Sequence, residues 1–200
     1  MTRAAENASV EDKATGTGTL VVVVGPSGVG KDSLLDIARR HFTDRDDVRF
    51  VRRTITRPED TGGEVHDAVS PETFDRLVSS GAFAVSWNAH GLGYGIPLDV
   101  RTDLAQGRTL IVNGSRSALA SVHAAFPNLV VVNVTARADV LAKRLAARGR
   151  ETTTEIEARL TRTTAPLPTD LTVITIDNSG DLELAGNELV QLIEGLLHSE

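Results

Sequence analysis

Short runs of consecutive apolar residues alternate along this chain with stretches in which apolar side chains recur every three or four positions. Residues 20–24, 110–112, 129–134 and 173–176 are apolar at nearly every position, the mark of strands buried on both faces. Residues 48–54 read as one further strand and 83–87 as a short one, followed by the glycine-rich run 91–95. Helical spacing occupies 31–41, with Leu34, Leu35 and Ala38 on one face, and 181–197; two more helices start near Ser115 and Arg137. Ser70-Pro71-Glu72 places a capping hydroxyl before a proline, which opens a helix. Thr152 with Glu155 forms a capping box for a helix reaching about residue 163. Residues 57–69, rich in glycine, proline and charge, read as a loop. Strands alternating with helices predict one α/β domain over 19–200, a parallel sheet with helices on both faces. Residues 1–18 are small and polar and read as a disordered tail.

Composition narrows the chemistry. The absence of cysteine excludes disulfides, thiolate nucleophiles and cysteine-held metals. A net charge of −6 gives no basic surface for a duplex, so nucleic acid is not an expected partner. No apolar run is long enough to span a bilayer and no leader is evident, which makes a cytoplasmic enzyme the expectation. The five histidines have no metal-ligand spacing. Lysine occurs only at 13, 31 and 143, the other basic residues being arginines, whose planar fork suits phosphate.

Gly25-Pro26-Ser27-Gly28-Val29-Gly30-Lys31 lies between four valines and an amphipathic helix. This is the strand–loop–helix setting of a Walker A phosphate loop. Its glycines let backbone N–H groups converge on phosphate oxygens, the helix dipole favours an anion, and Lys31 reaches the transferred phosphoryl group. Gly25 to Ser33 are therefore the expected ATP site. Where the motif has Ser or Thr against Mg²⁺, this chain has Asp32, with Ser33 one residue on and turned about 100° away. A carboxylate is a hard ligand, so Asp32 is the candidate for Mg²⁺; the alternative is that it only complements the helix dipole.

Further segments follow in order: Arg53-Thr54-Ile55-Thr56-Arg57-Pro58, Gly62-Gly63-Glu64, Ser86-Trp87-Asn88-Ala89-His90-Gly91, Tyr94-Gly95-Ile96-Pro97, Val112-Asn113-Gly114-Ser115-Arg116, Arg144-Leu145 and Arg148-Gly149. On these residues the chain, over roughly 20–196, resembles the guanylate kinase family, and within it the branch that phosphorylates ribose 1,5-bisphosphate. The resemblance implies a P-loop kinase fold with an acceptor-binding lobe (about 52–97) and a lid (about 141–162). It also implies transfer of the γ-phosphoryl of ATP, with Mg²⁺, to a small sugar phosphate, giving 5-phosphoribosyl 1-diphosphate as in phosphonate breakdown.

Departures from the guanylate kinases favour that branch. Arg57 is kept, but Asp60 replaces the second arginine of the acceptor segment and Arg53 stands where serine is usual. His66 falls nearest the place of a phosphate-binding tyrosine, Ile96 and Pro97 replace hydroxyl residues after Tyr94-Gly95, and the acidic pair on the third core strand has become Val112, Asn113 and Gly114. Guanine-reading groups are lost while phosphate-binding ones remain. A buried base would forfeit about 1–3 kcal/mol for each unpaired donor.

The expected acceptor residues are Arg53, Arg57, His66, Tyr94 and Arg116, with Arg52 and Arg53 pointing oppositely so that one of them faces the site. His90 is a further loop histidine able to meet a sugar or phosphate, and Trp87 and Tyr94 either shape the acceptor pocket or belong to the core. Arg148 and Arg159 are the expected catalytic lid arginines beside Lys31; Arg144 and Arg162 share their helix faces. The rival readings are a guanylate or other nucleoside monophosphate kinase, a non-catalytic binding module of the same fold, and a gluconate-type sugar kinase.

Overall fold

The computed structural model describes residues 18–58, 64–147, 167–169 and 171–198. The strands are β1 (Leu20–Val24), β2 (Val48–Phe50), β3 (Thr54–Ile55), β4 (Asp67–Ala68), β5 (Phe83–Ala89), β6 (Leu92–Pro97), β7 (Thr109–Asn113), β8 (Leu129–Thr135) and β9 (Thr172–Asp177). The helices are α1 (Lys31–His41), α2 (Pro71–Ser79), α3 (Val100–Ala105), α4 (Leu119–Ala125), α5 (Ala138–Ala147) and α6 (Leu182–Leu197), with a 3₁₀ turn at Arg116–Ala118. The tail expected over 1–18 lies, apart from Gly18, outside the described residues, as does the helix expected from Thr152.

Five parallel strands in the order β2-β7-β1-β8-β9 form the main sheet. β1 is central because its five residues are apolar and can be buried on both sides. Val21 and Val23 enter one core with Leu34 and Ala38 of α1 and Leu189 and Ile193 of α6. Leu20, Val22 and Val24 enter the other, with Val100 of α3 and Leu119 and Val122 of α4. Helices therefore cover both faces, as the alternation predicted.

A second sheet, in the order β4-β3-β6-β5, is built largely from a hairpin of β5 and β6. Val85 and Ile96 pack into the second core, so this face of the hairpin looks at the main sheet. Trp87 and Tyr94 are directly paired across β5 and β6, and Trp87 lies two residues from Val85 on that same face.

The strand expected over 48–54 is two strands in different sheets. The chain leaves the main sheet after Val51, whose N–H donates to Ile111 O at 2.8 Å, and re-enters pairing at Thr54 in the small sheet. No glycine, proline or other turn residue marks the crossing from Val51 to Thr54, so the local pattern does not reveal the change of partner. β4 falls within the glycine-, proline- and charge-rich segment 57–69 expected as loop, and its two residues are exposed; α3 has no side-chain cap, and the helix expected near Ser115 begins as the 3₁₀ turn before α4.

Candidate active site

The loop after β1 turns through two glycines in left-handed geometry, Gly28 at φ 83° and Gly30 at φ 98°. A Cβ at Gly30 would collide with the Asn178 amide, so the position admits no side chain. Val29 between them is fully buried and anchors the loop. Its carbonyl accepts from Asn178 Nδ2 at 2.8 Å and from Arg144 Nη1 at 3.2 Å. Arg144 thus holds the loop from α5, and Asn178 does so from the end of β9; neither bond was legible in sequence. Gly30 offers no side-chain cap to α1, leaving the first N–H groups of the helix for a ligand.

Lys31 Nζ donates to the carbonyls of Gly25 (2.8 Å) and Pro26 (3.2 Å), which lays the ammonium across the loop. Asp32, one residue on, is half-buried and Ser33 exposed, as their different rotation about α1 requires. Asp32 Oδ1 accepts from Asn113 Nδ2 at 2.9 Å, at the end of β7. Asp32, Asp36, Glu64, Val65 and Asn113 line a cleft between α1 and the segment leading to the small sheet. Among the described residues no group of three or more acidic, histidine or cysteine side chains could hold a metal alone. Mg²⁺ in phosphate loops needs only one or two carboxylates beside the phosphates, and the Asp32 carboxylate meets that requirement.

Across the cleft, Arg52 and Arg53 do point oppositely. Arg52 is exposed and pairs with Asp67 at 2.7 Å. Arg53 is buried, its Nε donating to Glu64 Oε1 at 3.0 Å and its Nη2 to the same oxygen. Its guanidinium lies 5.6 Å from the Trp87 ring centre and 5.1 Å from that of Tyr94. The two rings stack at 5.4 Å with planes 9° apart. Arg53 is therefore neutralised by a carboxylate the sequence reading had not paired with it, behind an aromatic wall.

His66 is 3% exposed, so it is no surface loop histidine. Its Nε2 lies 2.9 Å from Arg57 O, its Nδ1 3.0 Å from Glu64 O and 3.4 Å from Arg57 Nη2. It braces Arg57 at both backbone and guanidinium. His90, at φ 53°, sits in the exposed β5–β6 turn. Arg116 reaches β8, donating to Asn133 Oδ1 at 2.8 Å. Arg57 Nε, Trp87 Nε1 and Arg116 Nε are buried N–H groups with no partner among the described residues. Each such group carries a cost of about 1–3 kcal/mol unless something supplies an acceptor. Arg148 and Arg159, and most of the lid expected over 141–162, lie outside the described residues.

A phosphate loop at the carboxyl end of a central parallel strand, a lysine across it and an arginine-bearing second lobe define a P-loop kinase. The guanylate kinase family model matches residues 17–195. The chain is 53% identical over 180 residues to the ribose 1,5-bisphosphate phosphokinase PhnN of Rhizobium etli, covering 90% of this chain and 91% of that one. It is 51% identical to the enzyme of the same name from Agrobacterium fabrum, covering 88% and 96%. A guanylate kinase structure from Anaplasma phagocytophilum shares the fold, with a TM-score of 0.64 and 17% identity over 90% of this chain and 86% of that one. The chain belongs to the guanylate kinase family and, within it, to the ribose 1,5-bisphosphate phosphokinases.

Proposed function

We propose that this kinase transfers the γ-phosphoryl group of ATP to the C1 phosphate of ribose 1,5-bisphosphate. A C1-phosphate oxygen forms the new bond to the γ-phosphorus, the bond from that phosphorus to the β-bridging oxygen breaks, and ADP leaves beside 5-phosphoribosyl 1-diphosphate. The observation that carries this reading is the likeness to the Rhizobium etli enzyme across nine-tenths of both chains. Arg57 in the acceptor lobe and Arg116 beyond β7 agree with it, each keeping a buried Nε–H with no partner among the described residues.

Each residue then has a task. The loop 25–30 and the first turn of α1 cradle the nucleotide phosphates, and Lys31 exchanges the loop carbonyls for phosphoryl oxygens as charge develops. Arg57, Arg116 and the Tyr94 hydroxyl take the acceptor phosphates. Arg53, closed by Glu64, backs the Trp87–Tyr94 stack and holds those rings in place beside the acceptor, and His66 fixes the direction of Arg57. Arg148 and Arg159 are assigned as lid arginines from their sequence positions. The acceptor is already an anionic phosphate, so no general base is needed; positioning and charge neutralisation carry the rate. Asp32 would hold Mg²⁺, which when bound neutralises charge on the β- and γ-phosphate oxygens. The protein would work as a soluble enzyme of the cytoplasm without nucleic acid; among the described residues no helix is long and apolar enough to cross a membrane.

A coupled assay with ATP and a panel of acceptors tests the assignment. Turnover of ribose 1,5-bisphosphate, with none of GMP or gluconate, is expected. Efficient use of GMP with no sugar bisphosphate activity would transfer the protein to the nucleotide kinases.

A further inference from the structure

We propose that Asp32 and Asn113 form an exchanged metal-holding pair, in which the helix supplies the carboxylate and the strand end supplies the neutral residue that aims it. The proposal rests on the reading of the phosphate loop as an ATP·Mg²⁺ site and deepens it.

In P-loop NTPases generally, the residue after the loop lysine is Ser or Thr, whose hydroxyl meets Mg²⁺, and an aspartate at the end of a core strand supports the ion. Here the residue after Lys31 is Asp32, and the strand that ends beside the loop terminates in Asn113. β7 lies directly beside β1, with Val23 opposite Asn113, so the strand end and the start of the loop are at one level. The acid and its neutral partner have changed places across one hydrogen bond of 2.9 Å.

The chemistry favours an exchange over two independent substitutions. Two carboxylates at that separation would repel, and one would be driven towards its neutral form. Keeping one acid and one neutral group holds the site at a single negative charge, whichever element bears it. Asn113 is only 9% exposed, and a buried amide needs its N–H groups satisfied. Its Nδ2 donates to Asp32 Oδ1, so that bond engages one carboxylate oxygen and not the other. The amide therefore fixes the carboxylate and leaves one oxygen for a cation. Without a cation, a carboxylate at this point of the loop would oppose the phosphates. Asn113 is a positioning residue in this scheme; it does not touch the reacting atoms.

The test measures Mn²⁺, as a stand-in for Mg²⁺, by electron paramagnetic resonance on the full chain with a non-hydrolysable ATP analogue. Four variants are compared with the parent protein: Asp32→Ser, Asn113→Asp, the double exchange Asp32→Ser/Asn113→Asp, and Asn113→Ala. Loss of the aiming amide in Asn113→Ala is expected to weaken Mn²⁺ in the ternary complex about tenfold. Asp32→Ser should weaken it more, and the double exchange should recover most of that loss, a non-additivity that a plain structural hydrogen bond does not produce. Thermal unfolding of each variant separates a lost site from a lost fold, and Asn113→Ala supplies a second reading if an exchanged variant does not fold. A double exchange no better than Asp32→Ser, or an Asn113→Ala protein with unchanged Mn²⁺ affinity, overturns the proposal. A parent protein that binds no Mn²⁺–nucleotide complex at all overturns instead the ATP·Mg²⁺ reading beneath it.

Discussion

In the proposed mechanism the charge of Lys31 follows the phosphoryl group through transfer, since its flexible stem already reaches the loop carbonyls. Lys31→Ala is expected to lower kcat by about 10²–10³-fold while far-ultraviolet circular dichroism stays unchanged. Activity within a few-fold of the parent would remove it from the mechanism. Arg53 and Glu64 make a different argument. Both are largely buried, so taking away either leaves its partner charged with nothing to neutralise it. Glu64→Gln is expected to cost about 3 kcal/mol in urea unfolding, the figure for breaking a buried pair. A change below measurement error would mean that water reaches the pair freely. Lys31 could be read from the chain because its motif is contiguous. The Glu64 partnership could not, since eleven positions separate the two residues and nothing local marks the contact.

Among the elements, α2 shows how much a local signal can fix. Ser70 accepts from Thr73 N–H at 3.2 Å with Pro71 next in line, as the capping pattern requires. Ser70→Ala is expected to remove about 1 kcal/mol from the unfolding free energy, measured by thermal or chemical melting. Glu72 sits in the same first turn, where its own backbone N–H and the Ser70 hydroxyl hold its carboxyl below the ordinary value. A carboxyl depressed by folding stabilises above its unfolded pKa, and that contribution fades as pH falls through the lower folded value. The contribution is whole at neutral pH and fades only in acid, so the gap between the Ser70→Ala and parent melting curves should narrow there by the Glu72–Ser70 part alone, the Ser70–Thr73 cap bond remaining at every pH. β2 and β3 are the opposite case. Residues 48–54 carry an unbroken strand signal, yet Val51 bonds to β7 and Thr54 to β6. Propensity is a property of the segment; the choice of sheet belongs to the neighbours that cover it.

For the molecule as a whole, the two lobes make binding and stability one equilibrium. A nucleotide held by the loop favours the folded chain in proportion to its occupancy. At a hundred times its Kd, an ATP analogue with Mg²⁺ is expected to add about 2.7 kcal/mol. For a chain of this size that raises Tm by about 5–10 °C. Lys31→Ala should largely abolish the shift, and equal shifts in both proteins would place the nucleotide elsewhere.

The amino-acid order sufficed for the α/β alternation, the burial of β1, the phosphate loop and the weakening of base-reading positions, because each depends on neighbours within one turn, one strand or one contiguous motif. Folding in three dimensions settled what joins distant residues: Asn113 against Asp32, Asn178 and Arg144 on the Val29 carbonyl, His66 beneath Arg57, and Arg53 closed by Glu64 behind two stacked rings. Those partnerships form where separate strand ends and loops converge, and the identity of each partner is written in no local pattern.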